Sequence, residues 1–224
     1  MSRGSVVEWL GGEGGTGAGT CAWGTVRQAC RAGGWLVVVA GRRCLCPLPW
    51  VAGGIDLRRV VVVSVERVEE ELWAADQALR CPGVAAVWGR MERLTAHDFR
   101  RLKLAAEEGG SVGVWRRSAR HLGRPSWADV QWWVQPIASS TQESSAEVLA
   151  PSVRSEERRL RVTLVRCRGG WGGRTVEVVG NERTGELRGW EASARSSRDD
   201  RVIAGAGDRE IRPVSPPGRT RPGE

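Results

Sequence analysis

Apolar residues in this chain fall into short unbroken runs separated by amphipathic stretches. Val6 to Leu10, Leu36 to Ala40, Arg59 to Ser64, Val84 to Trp88 and Val112 to Trp115 are dominated by Val, Leu, Ala and Trp. Runs of this length and composition predict strands buried on both faces. Between them lie helical patterns. Thr20 to Arg31 is closed by Gly33-Gly34, and Glu66 to Arg80 places Val68, Leu72, Ala75 and Leu79 on one face. Thr95, with Asp98 three residues on, predicts a capped helix running to Glu108 before Gly109-Gly110. Strands alternating with helices predict an α/β fold with a mainly parallel sheet flanked by helices.

The pattern then changes. Val130 to Val134, Leu160 to Cys167 and Thr175 to Val179 follow one another with no helical stretch between. Leu160, Val162 and Leu164 alternate with Arg161 and Thr163, which predicts antiparallel C-terminal strands in a half-exposed sheet. Ser139 to Glu157 is rich in Ser and Glu and reads as a mobile loop within about 138–158. Residues 1–190 read as one α/β domain, and 191–224, rich in Arg, Ser, Asp, Pro and Gly, as a disordered tail.

Composition narrows the chemistry. The formal charge is +8, with 41% hydrophobic residues in 224. Such a balance suits nucleic acid or an acidic protein face, or else arginine-rich solvated loops. Lys103 is the only lysine. The six cysteines (Cys21, Cys30, Cys44, Cys46, Cys81 and Cys167) form no paired C-x-x-C units, and His97 and His121 are the only histidines, so no metal site is expected. No signal segment and no membrane-length apolar run is present, and a cytoplasmic location with reduced cysteines is expected. There are twelve tryptophans, one phenylalanine and no tyrosine. Trp9, Trp73 and Trp88 read as core residues, whereas adjacent Trp132 and Trp133 must face opposite sides of a sheet.

The sharpest local signal is the glycine loop that joins the first strand to the first helix. A phosphate-binding loop G-x-x-x-x-G-K-[ST] needs its Lys for the β/γ-phosphates and its hydroxyl for magnesium. Here Gly12, Gly14, Gly15, Thr16 and Gly17 keep the glycine spacing, but Ala18 stands at the Lys position and Gly19 at the hydroxyl position, before Thr20. The fourth strand runs into Trp88-Gly89-Arg90, with no acid before Glu92. Phosphoryl transfer is therefore not expected. Gly12, Gly14 and Gly17 also fit the dinucleotide pattern, and Arg42-Arg43 after the second strand suit a 2′-phosphate, which leaves an NADP-binding Rossmann oxidoreductase as an alternative. The absence of tyrosine excludes a Tyr/Lys dehydrogenase.

Read in order, several segments resemble the RecA core: Val7-Glu8-Trp9-Leu10-Gly11, Gly54-Ile55-Asp56-Leu57-Arg58-Arg59-Val60-Val61, and Arg161-Val162-Thr163-Leu164-Val165-Arg166-Cys167-Arg168. Leu72-Trp73-Ala74-Ala75-Asp76-Gln77-Ala78-Leu79-Arg80 and Phe99-Arg100-Arg101-Leu102-Lys103-Leu104-Ala105-Ala106-Glu107 are similar to helices of ImuA-like proteins, and Arg166-Cys167-Arg168-Gly169-Gly170 to their basic turn. The resemblance spans about Val6 to Glu186. It implies a RecA-like core with a degenerate P-loop. It also implies a non-catalytic accessory of DNA repair and SOS translesion synthesis, binding error-prone DNA polymerase subunits, RecA or DNA. It implies no required cofactor, with weak ATP binding left open. SulA-like inhibitors of cell division form a related alternative. The candidate partner or DNA contacts are Arg100 and Lys103 on one helical face, Arg101 a quarter-turn round, and Arg166 with Arg168 on one strand face.

Overall fold

The computed structural model describes residues 3–12, 15–41, 54–137, 157–181, 184 and 186–189. Gly14, Arg42, Arg43, the greater part of the expected loop and the tail from 191 lie outside the described residues. Nine strands and three α-helices are present among the described residues. They are β1 (Val6–Gly11), α1 (Ala18–Cys30), β2 (Trp35–Gly41), β3 (Val60–Val65), α2 (Val68–Arg80), β4 (Val84–Gly89), α3 (Ala96–Gly109), β5 (Val112–Ser118), β6 (Val130–Pro136), β7 (Glu157–Cys167), β8 (Thr175–Asn181) and β9 (Leu187–Gly189). One sheet holds all nine strands in the order β3-β2-β4-β5-β1-β6-β7-β8-β9. The six strands from β3 to β6 are parallel, and β7, β8 and β9 continue antiparallel. The expected mixed α/β sheet is therefore present.

Alternation along each strand sorts the core into two layers. Val7, Leu36, Val38, Ala86 and Val114 face α1, packing on Cys21, Ala22 and Val26. Val6, Val37, Val39, Val87 and Trp115 face α2 and α3, meeting Leu79, Phe99, Leu102 and Ala105. Two of the three helices start where a side chain satisfies free amides. Thr95 and Asp98 form the expected capping box of α3. Glu70 accepts from the N–H groups of Glu66 and Arg67, so α2 begins at Val68 rather than Glu66. Gly17, in the left-handed region at φ 79°, hands the chain straight into α1 at Ala18, two residues before the expected start.

Other boundaries moved for tertiary reasons. The fifth strand runs past Trp115 through Arg116, Arg117 and Ser118 because it stays paired with Leu10 and Gly11 of β1. The valine run of β3 is not buried on both faces. It is the outer strand, and Val61 and Val62 are exposed. Strand β7 begins at Glu157, inside the expected loop, and the three-residue β9 has no apolar run to announce it. Trp9 and Trp88 are in the core as expected, but Trp73 is 62% exposed. It lies on the outer side of α2, one position round from buried Ala74 and Ala75. Trp132 stacks on Trp9 with centroids 5.6 Å apart, and Trp23 on Trp88 at 5.1 Å.

Candidate functional site

The glycine loop lies at the carboxyl end of β1, a central strand. Thr16 turns back so that its hydroxyl donates to the Gly12 carbonyl at 3.4 Å. Gly15 and Gly17 both have positive φ. Strand β7 closes over the loop from the side. A Cβ on Gly17 would lie 2.4 Å from a Leu160 methyl, so only glycine fits beneath that side chain. The Arg158 guanidinium donates to the Gly15 carbonyl. Sequence reasoning missed Arg158, because nothing local connects residue 158 with residue 15. Ala18 is buried, and Gly19 and Thr20 form the half-buried first turn of α1. Neither Ala18 nor Gly19 has a side chain that can reach phosphate or magnesium. Gly17→Ala is expected to destabilise the protein by roughly 3 kcal/mol through left-handed strain and overpacking together, read as a lower urea midpoint.

The strand order overturns the dinucleotide alternative. A dinucleotide fold of order 3-2-1-4-5-6 sets β2 beside β1, so that the end of β2 reaches the ribose. Here β1 lies between β5 and β6, and β4 and β5 separate it from β2. That separation is three strand spacings, about 14 Å.

A buried polar knot lies on the other face of the same edge. Glu8 is fully buried on β1. Its carboxylate accepts from Arg117 Nη1 at 2.6 Å and from Gln131 Nε2 at 2.7 Å. The Arg117 guanidinium also faces His121 Nδ1 at 3.1 Å and stacks on the Phe99 ring at 5.0 Å. Since the guanidinium can only donate, His121 Nδ1 accepts, while its Nε2 lies 3.3 Å from Glu92 Oε2 and 3.4 Å from Arg120 Nε. Arg93, Arg117, Arg120, Arg124, His121 and Glu92 line an adjoining pocket of about 540 Å³. Two of its cations are engaged internally: buried Arg117 with Glu8, and exposed Arg120 with Glu92. Burial and the nearby Arg117 charge hold His121 below the usual imidazole value of 6.5. The folded protein therefore resists protonation at His121 while the unfolded chain takes up the proton. The resulting stability is present above about pH 6.5 and is lost as pH falls toward the lower folded value. A His121→Gln variant is expected to lose less stability than wild type between about pH 7.5 and 5.5, compared by urea midpoints.

The predicted basic contacts divide into two groups. Lys103, expected outward beside Arg100, is turned inward and is 8% exposed. Its ammonium meets Asp129 at 2.7 Å, Glu107 at 3.2 Å and the Gly4 carbonyl at 2.6 Å. Arg101 Nε bonds buried Asp76 at 3.0 Å. These two cations tie the fold together. Arg100, Arg166 and Arg168 instead converge on one segment, Ser126 to Asp129. Arg100 lies 5.7 Å over the ring of Trp127, Arg166 donates to the Ser126 carbonyl, and the Arg168 N–H donates to the Asp129 carbonyl at 2.7 Å. Four residues span at most about 11 Å, so a cation of α3 and two at the end of β7 are gathered on one surface. Arg100 and Arg166 have no carboxylate partner among the described residues. Arg168 is 3.6 Å from Asp129 and otherwise largely exposed.

Other chemistries find little support. Burial pushes the Cys21 thiol up to about 12 and the Cys30 thiol to about 11, so neither supplies a thiolate at neutral pH. Among the described residues no group of three or more His, Cys, Asp or Glu side chains is placed to hold a metal. No described helix is long and apolar enough to cross a membrane.

No protein-family profile matches the chain, and no curated protein matches it. Among solved structures, the crystal structure of SulA from Pseudomonas aeruginosa is similar at 21% identity and a TM-score of 0.43. The match covers 50% of this chain and 97% of that one. A likeness this loose assigns neither a fold family nor a role.

Proposed function

We propose that this protein is a non-catalytic, RecA-like accessory of DNA repair that acts in translesion synthesis by binding. The reading rests on the sequence resemblance and on one structural observation: Arg100, Arg166 and Arg168 gather on a single surface around Ser126 to Asp129. Three guanidinium groups with little internal pairing present a positive field to a phosphate backbone or to the acidic face of a polymerase subunit or of RecA. The glycine loop fits the same reading. It keeps the turn between β1 and α1 but lacks lysine and hydroxyl side chains at the phosphate positions, and Leu160 packs against Gly17. The loop then serves as a structural joint, and ATP turnover is not part of the function.

The test uses fluorescence anisotropy with a labelled oligothymidylate of about 20 nucleotides, longer than one typical single-strand footprint. The triple variant Arg100→Gln, Arg166→Gln, Arg168→Gln is expected to bind more weakly. The slope of log affinity against log salt is expected to flatten by about 0.7 per lost phosphate contact. Affinity purification from DNA-damaged host cells is expected to recover an error-prone polymerase or RecA with wild type and to lose it with the triple variant. If the triple variant keeps both the oligonucleotide and the protein partner, the arginine surface is not the contact.

A further inference from the structure

The hairpin between β7 and β8 carries the sequence Arg168-Gly169-Gly170-Trp171-Gly172-Gly173-Arg174. Trp171 at its tip is 90% exposed. Its backbone is fixed. Gly170 N–H donates to the Cys167 carbonyl at 3.2 Å, and Gly173 N–H and Leu164 N–H pair with Leu164 O and Arg174 O at 2.6 and 2.7 Å. A Cβ on Gly172 would lie 2.4 Å from the Val165 carbonyl oxygen, so the turn is packed tightly against β7 and holds the indole outward. Four flanking glycines supply no side chains, so the ring is the only apolar group of the tip. The charged residues that flank it along the chain are cationic: Arg166, Arg168 and Arg174. Arg174 has no carboxylate partner among the described residues. Arg168 joins this tip to Asp129, and Trp127, 45% exposed beneath Arg100, lies two residues from that point.

The buried core of a protein interface is more apolar than its rim, and this tip offers a single ring. A lone ring among guanidinium groups matches a different ligand, one that alternates flat π-faces with negative charge. We propose that Trp171 is a stacking platform for a base of a single-stranded nucleic acid, with Arg166, Arg168 and Arg174 on the flanking phosphates. The inference deepens the proposed function and rests on it for the class of partner.

The experiment compares labelled oligothymidylate with an abasic oligomer of the same length, which keeps the phosphates and lacks the bases. Wild type is expected to prefer the thymidylate. Trp171→Ala is expected to weaken thymidylate binding roughly 5- to 150-fold, the range for loss of one stacked base, and to leave abasic binding and the salt slope unchanged. Trp171→Phe is expected to recover most of the affinity. Far-UV circular dichroism and the urea midpoint should match wild type, since the side chain touches little of the fold. Equal binding of thymidylate by wild type and Trp171→Ala would overturn the platform and leave the arginine surface standing. Equal affinity of wild type for abasic and thymidylate oligomers would overturn it as well. If wild type binds neither oligomer but retains a polymerase or RecA, the platform is overturned and the proposed function survives through its protein partner. Binding of oligouridylate alongside thymidylate would assign the chemistry to base and phosphate, and weaker oligouridylate binding would assign it to DNA, both in keeping with the proposal.

Discussion

Glu8→Gln is expected to lower the unfolding free energy by about 3–5 kcal/mol, the cost of breaking a buried ion pair by removing one partner. Glu8 lies at the middle of the sheet, beside Gln131 of β6 in register and diagonal to Arg117 of β5. Arg117 and Gln131 are each 4% exposed. Glutamine keeps the shape and removes the charge, which leaves the Arg117 guanidinium buried without its nearest carboxylate. Its remaining neighbours include the carbonyls of Glu92 and Leu94, the neutral His121 ring and the Phe99 face. The double variant Glu8→Leu, Arg117→Met is expected to recover much of the loss, because it removes both charges together. Urea unfolding of the three proteins measures this. Equal midpoints for Glu8→Gln and wild type would mean that Arg117 is balanced elsewhere.

Lys103→Met should cost about 3 kcal/mol or more for the same reason. The ammonium binds Asp129, and the other work of Asp129 Oδ2 is to accept the Val6 N–H at 2.8 Å. Removing the cation loosens the joint between α3, the start of β1 and the start of β6. This site also explains why the single lysine occurs here in an arginine-rich chain. Three acceptors, Gly4 O, Asp129 and Glu107, converge on one point. A compact ammonium satisfies them, and a planar guanidinium does not. Lys103→Arg is therefore also destabilising, by roughly 1–3 kcal/mol through overpacking. Oligonucleotide affinity of either variant, measured where it remains folded, is expected to match wild type. A selective loss of affinity would return Lys103 to the contact surface.

Much of the architecture was legible along the chain. Buried parallel strands advertise themselves as apolar runs, and Thr95 with Asp98 announces the start of α3. The missing lysine and hydroxyl in the glycine loop were readable residue by residue. The proposed contact surface was only half legible. Arg166 lies in β7 and Arg168 in the turn just past its end, and their approach to Arg100 depends on Ser126 to Asp129 lying between α3 and β7. The helical wheel placed Lys103 beside Arg100 on an outward face. It could not register that Asp129 and Gly4 wait on the inner side.

The amino-acid sequence by itself determined the order and type of the elements through β8, the glycine turn after β1 and the absence of phosphate-binding side chains from it. Those properties follow from local periodicity, backbone sterics and residue chemistry, which act over a few positions. Only the tertiary structure decided that β1 neighbours β5 and β6, which removes the dinucleotide reading. It also turned Lys103 and Arg101 into internal ties and left Arg100, Arg166 and Arg168 on one face. The physical reason is the same in each case. A charged side chain follows its strongest partner, and the partners here lie 25 to more than 100 residues away, joined by a sheet order that local pattern does not encode.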